Sequence, residues 1–141
     1  MELRIKKFHP EAKLPTKAHI TDAGYDLSSI ENTVIHPFTH SLVDTGIGIC
    51  VPIGTYGRIA PRSGISMKDI IVNAGVIDPG YTNSVKVLLY NLSKVPFKIE
   101  KGDRIAQLIL EKVELLATVI EVSELNITDR GLQGFGSSGT K

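Results

Sequence analysis

The chain has 141 residues, of which 42% are hydrophobic, and a formal net charge of +1. This length fits one compact domain and excludes two large ones. The nearly balanced charge excludes a broad electrostatic field, so we expect neither nucleic acid nor a membrane as a direct partner. A single cysteine, Cys50, excludes an internal disulfide, and the amino-terminal MELRIKKFHP lacks the apolar core of a secretory signal. We therefore expect an intracellular protein of the cytoplasm or nucleus.

Short apolar runs with a period of two predict strands along most of the chain. The alternation occurs in two sets of three residues, at Ile47, Ile49 and Val51 and at Val85, Val87 and Leu89. The stretches RIAQLILEKV and ATVIEV are also rich in strand-forming residues, and 13 glycines and 7 prolines separate the runs. One short helix, or a plain turn in its place, is expected around residues 63–69. The pattern predicts an all-β sandwich or barrel.

The composition changes at Thr128, where the last segment, TDRGLQGFGSSGTK, begins. It combines several glycines with one arginine and one aromatic residue and has no apolar periodicity. A mobile terminus is the commonest fate of such a segment. A lone Phe and Arg among glycines instead favour a segment that closes over an aromatic anion. We divide the chain into a β domain, residues 1–127, and a flexible carboxy-terminal arm, residues 128–141.

Four of the five arginines lie among glycine, serine or glutamine, in segments expected to be loops or strand ends: Arg58, Arg62, Arg104 and Arg130. A guanidinium supplies a charged fork for phosphate, and neighbouring Gly and Ser residues expose backbone N–H groups. Each arginine alone would be explained by surface solubility. Together they predict a site for a small phosphate-containing ligand.

Asp78 follows the apolar pair Val76 and Ile77 and precedes Pro79 and Gly80, which predicts a strand that runs into a tight turn. Its carboxylate could cap the turn, the commoner role in Asp-Pro-Gly, or act as a general base. The spacing alone does not choose between these roles. The sequence shows no zinc-ligand spacing, no local Ser/His/Asp set, no P-loop and no dinucleotide-binding motif.

Five segments follow one another along the chain: DAGYDLSS, GRIAPRSGIS, NAGVIDPGYTNSVKVLLYN, KGDRIAQLIL and RGLQGFGSSG. In this order they resemble the trimeric deoxyuridine triphosphatases, or dUTPases. The resemblance covers nearly all of the chain from about Ala18 onward. It implies a jelly-roll-like subunit in a homotrimer with shared active sites, where the arm closes over a neighbour's site. The implied reaction hydrolyses dUTP to dUMP and pyrophosphate, with Mg²⁺ on the triphosphate. It would limit uracil in DNA and supply dUMP for thymidylate synthesis.

The resemblance implies roles for matching residues. Asp78 resembles the base that activates water for attack on the α-phosphorus, and Tyr81 resembles the aromatic residue beneath the deoxyribose. Residues 73–85 resemble a hairpin that recognises uracil through main-chain groups, and Asp26 resembles the acid that holds Mg²⁺ through water. The other implied substrate contacts are Asn73, Gly75 and Lys86 at the hairpin, Arg62, Ser63, Gly64 and Gln107 at the phosphates, and Arg130, Phe135, Gly136, Ser137 and Ser138 on the arm, with Phe135 stacking on uracil.

The chain departs from the family pattern at Asn73, Gly80, Asn83, Ser84, Gln133 and Ser138. None of these departures removes an implied catalytic group. We expect Asn73 and Asn83 to alter the hairpin turn, because asparagine adopts positive φ less freely than glycine. Two alternatives stay open. The first is a dCTP deaminase, which is disfavoured because Leu88 stands where that relative has its catalytic glutamate. The second is a regulatory nucleotide binder, which is disfavoured by the intact Asp78.

Overall fold

The computed structural model describes residues 1–141, and its ten strands and one four-residue helix confirm the predicted all-β class. The strands are β1 (Arg4–Lys7), β2 (Tyr25–Ser28), β3 (Thr33–Ile35), β4 (His40–Cys50), β5 (Thr55–Ala60), β6 (Ile70–Asn73), β7 (Val76–Ile77), β8 (Ser84–Asn91), β9 (Phe97–Ile99) and β10 (Arg104–Lys112). The helix, α1 (Ser63–Ser66), lies between β5 and β6. No helix has the length and apolar character that a membrane crossing requires.

Two four-stranded antiparallel sheets form the body of the subunit. The first has the order β1-β4-β8-β6, the second has the order β2-β10-β5-β7, and β3 pairs with β9 in a small third sheet. One cluster of 17 buried hydrophobic residues includes side chains from all three sheets, so the sheets enclose a single core. Neither large sheet closes on itself. The fold is therefore the expected jelly-roll-like sandwich and not a closed barrel.

The predicted alternation in β8 separates a core face from an outer face. Val85, Val87 and Leu89 are at most 1% exposed. Lys86 between them is exposed. Burying each such apolar side chain contributes about 1.5–3 kcal/mol relative to leaving it in water. Because β8 pairs with both β4 and β6, it anchors the segment that precedes it, which includes Asp78 and Tyr81.

The chain passes from the first sheet to the second directly before Asp78. Strand β6 pairs with β8 in the first sheet, whereas β7 pairs with β5 in the second. Only Ala74 and Gly75 separate β6 from β7. The turn that follows β7 then returns the chain to β8. This excursion places residues 74–83 at one edge of both sheets.

Two local expectations differ from the structure. The helix ends at Ser66, and a turn continues to Asp69, which adopts a left-handed φ of 59°. The stretch ATVIEV, residues 117–122, forms no strand, and its Val119 is 97% exposed. The expectation of a strand there was wrong because strand propensity needs a neighbouring strand to pair with, and this chain offers none.

Candidate active site

A polar cavity of about 550 Å³ lies where the start of α1 approaches β2 and β10. We call it the anion pocket, and its lining includes Asp26, Arg62, Ser63, Gly64, Arg104 and Gln107. The sequence predicted all six for a ligand site, Arg104 through the arginine pattern and the other five through the resemblance, and they come from three separate segments. Strand pairing brings them together, because Gln107 of β10 is in register with Asp26 of β2 and with Ala60 of β5.

Asp26 lies at the centre of the charges in the anion pocket. Its Oδ1 accepts a hydrogen bond from Arg62 Nε at 3.0 Å, and its Oδ2 accepts one from Arg104 Nη1 at 3.4 Å. The Asp26 side chain is 19% exposed, so the carboxylate is partly shielded from water. One carboxylate does not cancel two guanidiniums, and each guanidinium has further N–H donors. The pocket can therefore attract and orient a phosphate group.

The start of α1 adds main-chain donors to the anion pocket. The helix begins at Ser63, and the first N–H groups of a helix have no partner within it. Ser63 and Gly64 are both exposed. A Cβ built at Gly64 would meet no atom within 4 Å, so the approach to this backbone is open. A phosphate oxygen could reach these groups directly.

Gln107 is held in place by a contact that the sequence analysis missed. Its Nε2 donates a hydrogen bond to the carbonyl oxygen of Pro61 at 2.9 Å. A Cβ at Gly24 would lie 2.1 Å from Gln107 Oε1 and 2.9 Å from Gln107 Cβ, so any larger residue would displace the Gln107 side chain. Gly24 belongs to the DAGYDLSS segment but had no assigned role. The signal that could have found it is the glycine itself, placed between Asp22 and Asp26, but its partner lies far along the chain.

A second and smaller cavity of about 250 Å³ lies between the β6–β7 crossing and the start of β8. We call it the hairpin pocket, and its lining consists of Leu42, Ile59, Ala74, Gly75, Val76, Ile77, Tyr81, Val85 and Lys86. Three predicted substrate contacts, Gly75, Tyr81 and Lys86, therefore lie together. Asn73 precedes the pocket and does not line it. The mostly apolar walls suit a flat ring with few polar groups.

The hairpin turn is not strained at Asn73 or Asn83, so the expectation that these asparagines alter it through positive φ was wrong. Positive φ occurs instead at Ala74, with 54°, and at Gly75, with 96°. A Cβ at Gly75 would lie 2.8 Å from the carbonyl oxygen of Ile59. The same pair of residues is joined by a hydrogen bond from Ile59 N to Gly75 O at 2.8 Å. Gly75 is therefore the position in this turn that requires glycine.

Asp78 lies in the turn after β7, and its carboxylate is exposed. The main chain closes this turn, with Tyr81 N donating to Asp78 O at 3.0 Å. No side-chain hydrogen bond or ion pair involves the Asp78 carboxylate. The carboxylate does not cap the turn, and both of its oxygens are free to accept a proton or a hydrogen bond.

Arg58 does not join Arg62 and Arg104 in the anion pocket. Its Nε donates to Glu111 Oε1 at 2.6 Å, and Tyr56 donates its hydroxyl to Glu111 Oε2 at 2.5 Å. The hydrogen bond to Glu111 raises the pKa of Tyr56. Hydrogen bonds from Tyr56 and then from Arg58 lower the pKa of Glu111. This cluster joins β5 to β10 away from both pockets.

The carboxy-terminal arm is not brought to either pocket. Its hydrogen bonds are internal, such as the one from Arg130 Nε to the Gln133 carbonyl at 2.8 Å. Phe135 is fully exposed and has a φ of 50°. The arm residues that the sequence predicted as substrate contacts line neither pocket: Arg130, Phe135, Gly136, Ser137 and Ser138.

The anion pocket and the hairpin pocket are separate within one chain. They share no lining residue, and Asp78 lines neither of them. A nucleoside triphosphate that used both pockets of a single copy would have to span the gap between them. A single copy therefore presents separate parts of a nucleotide site.

Known proteins are similar to this chain over nearly its whole length. A family model described as dUTPase matches residues 10–139. The deoxyuridine 5'-triphosphate nucleotidohydrolase of Candida albicans is 50% identical over 140 residues, which cover 97% of this chain and 87% of that protein. Among solved structures, a dUTPase mutant of Staphylococcus bacteriophage 80alpha with dUpNHpp has a TM-score of 0.93 and 28% identity, with 99% of each chain covered.

A mutant dUTPase of the Staphylococcus aureus phage phi11, described with the coordination of a structural Mg(II) ion, has a TM-score of 0.82 and 25% identity. That match covers 88% of this chain and 98% of the phage chain. The family model and the Candida relative both extend over nearly the whole sequence, and they confirm the resemblance that the five segments indicated. The chain belongs to the dUTPase family.

Proposed function

We propose that this chain hydrolyses dUTP to dUMP and pyrophosphate through attack on the α-phosphorus by a water that Asp78 activates. The observation that carries this mechanism is the unpartnered carboxylate of Asp78, in a turn three residues before Tyr81 of the hairpin pocket. The family and the names of the relatives support dUTP as the substrate. The attack on the α-phosphorus and the role of Asp78 as the base are what the family resemblance implies, and the exposed carboxylate of this chain supports them.

The hairpin pocket is assigned to the nucleoside. Its lining is apolar apart from Lys86, Tyr81 and the main chain, so the backbone of the β6–β7 crossing is a main source of polar recognition. Uracil offers an acceptor at O4 and a donor at N3, whereas cytosine reverses both. Mispaired buried polar groups give roughly 10⁴-fold rejection. Tyr81 would pack beneath the deoxyribose and fill the space that a ribose 2′-hydroxyl needs.

The anion pocket is assigned to the triphosphate. Arg62 and Arg104 would form charge-assisted hydrogen bonds to phosphate oxygens, and the N–H groups of Ser63 and Gly64 would add neutral ones. Gln107, fixed by Gly24 and Pro61, would supply a further amide donor. The two arginines would then donate hydrogen bonds to both Asp26 and the ligand, or would exchange their hydrogen bonds to Asp26 for hydrogen bonds to the ligand.

Mg²⁺ is assigned to the triphosphate, with Asp26 as its protein contact through water. The chain has no cluster of three or more His, Cys, Asp or Glu side chains that could hold a metal. A partly buried carboxylate beside phosphate-binding arginines fits an ion that takes one or two carboxylates and keeps several waters. When bound there, the ion would neutralise phosphate charge.

The chemical step requires one proton acceptor and one leaving group. Asp78 accepts a proton from water while the water oxygen bonds to the α-phosphorus. The bond from the α-phosphorus to the oxygen that bridges to the β-phosphorus breaks, and its electrons leave with pyrophosphate. A general base contributes typically about 10²- to 10⁴-fold to such a step. Arg62 and Arg104 stabilise the charge that grows on the leaving group.

We further propose that the active site is completed by other copies in a homotrimer. Three features of the chain support this assembly: the two pockets are separate, the arm reaches neither, and residues 113–127 leave apolar side chains in water. Val119 and Ile127, at 97% and 100% exposed, belong to this segment. A neighbouring subunit would cover them. The arm, residues 128–141, would then bring Phe135 and Arg130 over a neighbour's nucleotide as a segment distinct from the β domain.

The proposed reaction also gives the protein a place in nucleotide metabolism. Removal of dUTP limits uracil incorporation into DNA, because dUTP has the same base-pairing groups as dTTP. The product dUMP lacks only the 5-methyl group of thymidylate, so a methyl-transfer reaction can consume it. This role is intracellular and requires neither direct nucleic-acid binding nor a membrane.

The proposal is tested by incubating a panel of deoxynucleoside triphosphates with the full chain and Mg²⁺ in ¹⁸O-labelled water. We expect pyrophosphate from dUTP alone and the label in dUMP. Label in pyrophosphate would place the attack on the β-phosphorus and overturn the mechanism. Binding of dUTP without pyrophosphate release would favour a regulatory binder, and ammonia from dCTP would favour a deaminase.

A further inference from the structure

Strand β4 has a bulge directly opposite the start of β8. Asp44 is in register with Lys86, but the next aligned pair is Gly48 with Ser84, so three residues of β4 face Val85 alone. Gly46 within the bulge has a φ of 70°. Bulges re-aim side chains and often lie beside functional sites. The bulge in β4 lies against the segment that follows Tyr81.

Two side chains fix the bulge to β8. Asp44 Oδ1 accepts hydrogen bonds from Gly46 N at 2.8 Å and from the Ser84 hydroxyl. Thr45, 1% exposed, donates its hydroxyl to the Val85 carbonyl at 2.6 Å. The bulge is therefore tied to both residues that begin β8, and Asp44 holds Ser84 by its side chain.

Ser84 in turn holds Tyr81. The Tyr81 hydroxyl donates a hydrogen bond to the carbonyl oxygen of Ser84 at 2.8 Å. Gly48 adds a close contact at the same place, because a Cβ there would lie 2.7 Å from the carbonyl oxygen of Thr82. Asp44, Ser84 and Tyr81 thus form a continuous chain of hydrogen bonds from the bulge to the wall of the hairpin pocket.

We propose that Asp44 is a positioning residue for sugar specificity, which acts through Ser84 to hold the Tyr81 ring against the sugar position of the hairpin pocket. This inference rests on the proposed function, in which Tyr81 excludes the ribose 2′-hydroxyl. Steric exclusion of the 2′-hydroxyl requires that the Tyr81 ring cannot move away from the sugar. The carboxylate of Asp44 stiffens the segment behind the ring, and discrimination between dUTP and UTP depends on it.

The test compares kcat/KM for dUTP and UTP in Ser84→Ala, Asp44→Ala and the double variant. Each single variant removes the Asp44–Ser84 hydrogen bond, and we expect the dUTP preference to fall about 5-fold, mostly through faster turnover of UTP. The double variant should fall by less than the two single variants combined, because both remove the Asp44–Ser84 hydrogen bond, and Asp44→Ala also removes the acceptor of Gly46 N. Asp44→Asn keeps the Oδ1 acceptor and should restore the preference to within about twofold of the native protein.

Ser93→Ala is the matched control. It removes a comparable hydrogen bond, from the Ser93 hydroxyl to Asn91 Oδ1 at 2.7 Å, at the other end of β8. Its thermal stability should fall while the preference stays unchanged. If Asp44→Ala does not fold, Ser84→Ala decides the question, because it removes one hydroxyl from a half-buried position.

Calorimetric binding of dUpNHpp and its ribose counterpart separates this inference from the proposed function. If the native protein binds the deoxy analogue preferentially and Ser84→Ala loses part of that preference, the positioning role stands, whatever the turnover. An unchanged preference in both single variants overturns the positioning role, as do additive effects in the double variant. A native protein that binds both analogues equally overturns it together with the sugar role of Tyr81.

Discussion

The anion pocket and the hairpin turn differ in how their polar groups are satisfied. In the anion pocket the chain itself pairs the charged groups, since Asp26 accepts from Arg62 and Arg104. At the hairpin turn, the Asp78 carboxylate is exposed and has no partner, although the main chain around it is ordered by hydrogen bonds. Binding a polyanion benefits from a network that is formed in advance, whereas removing a proton needs free lone pairs. Under the proposed function, these two tasks therefore belong to differently prepared regions.

Among the variants that test this difference, we expect the largest effect from replacing the free acid, Asp78. Asp78→Asn should lower kcat by about 10²- to 10⁴-fold, because the amide cannot accept the proton from water. Binding of dUpNHpp, measured by calorimetry, should change little, since the Asp78 side chain makes no hydrogen bond that the amide would lose. Its thermal unfolding should match that of the native protein. Turnover close to native would exclude Asp78 as the base.

Removing the arm tests whether the two regions suffice without it. A chain that ends at Thr128 loses the proposed stacking of Phe135 and the phosphate contacts of Arg130. Stacking on one base contributes about 1–3 kcal/mol, so we expect kcat/KM for dUTP to fall by at least about 10- to 100-fold. Sedimentation should show the same oligomer as the full chain, because residues 113–127 remain. A truncated protein with full activity would show that the arm does not take part.

The preformed network of the anion pocket is tested with a matched pair of arginines. Arg62→Ala should weaken dUpNHpp binding by about 10-fold or more, since charge-assisted hydrogen bonds contribute about 1.5–3 kcal/mol. Arg58→Ala removes the same charge from the neighbouring part of the chain, but Arg58 is paired with Glu111 outside the pocket. It should leave the affinity within about twofold. Equal losses in both variants would mean that general charge, and not the pocket, attracts the ligand.

These arginines also show what sequence reasoning could and could not reach. The period-two pattern of β8 was sufficient to predict its buried face, because alternation is a local property of strands. The arginines in GRIAPRSG looked alike, yet the structure separates them. Arg58 lies within β5 and pairs across the sheet with Glu111, whereas Arg62 lies beyond the strand end and reaches Asp26. Pairing between distant strands decides this, and one sequence does not display it.

The hairpin and the segment after β10 give the same lesson. Asp78 in its turn followed from Val-Ile-Asp-Pro-Gly, but the positive φ falls on Ala74 and Gly75, because the chain changes sheets there. The stretch ATVIEV has strand-forming residues and no strand, since no other segment of the chain pairs with it. Propensity describes what a segment can form, and tertiary or quaternary neighbours decide whether it does.

A second paired cluster, in which Glu111 accepts hydrogen bonds from Tyr56 and Arg58, lies away from both pockets. It sharpens the comparison because it should affect stability and not turnover. Hydrogen bonds from Tyr56 and Arg58 lower the pKa of Glu111 from its ordinary 4.5. This contribution to the free energy of unfolding is present above about pH 4.5 and is lost as the pH falls through the lowered value. The pKa of Tyr56 is raised, so this residue acts at alkaline pH. Its contribution to the free energy of unfolding is present below the ordinary pKa of 10.0 and is lost as the pH rises through the raised value.

Glu111→Gln should therefore flatten the fall of the melting temperature at acid pH and shift the alkaline fall, while kcat/KM for dUTP at neutral pH stays within about twofold. The effect is the smallest of those predicted, because these side chains are only half-buried and water screens their interaction. Asp69→Asn, which removes an exposed carboxylate outside both pockets and outside residues 113–127, serves as the control and should melt in parallel with the native protein at every pH. If Glu111→Gln also melts in parallel, the cluster makes no pH-dependent contribution. A loss of turnover without a loss of stability would instead link β5 and β10 to catalysis. It would contradict the inference that paired charges stabilise the fold while the free acid Asp78 serves the reaction.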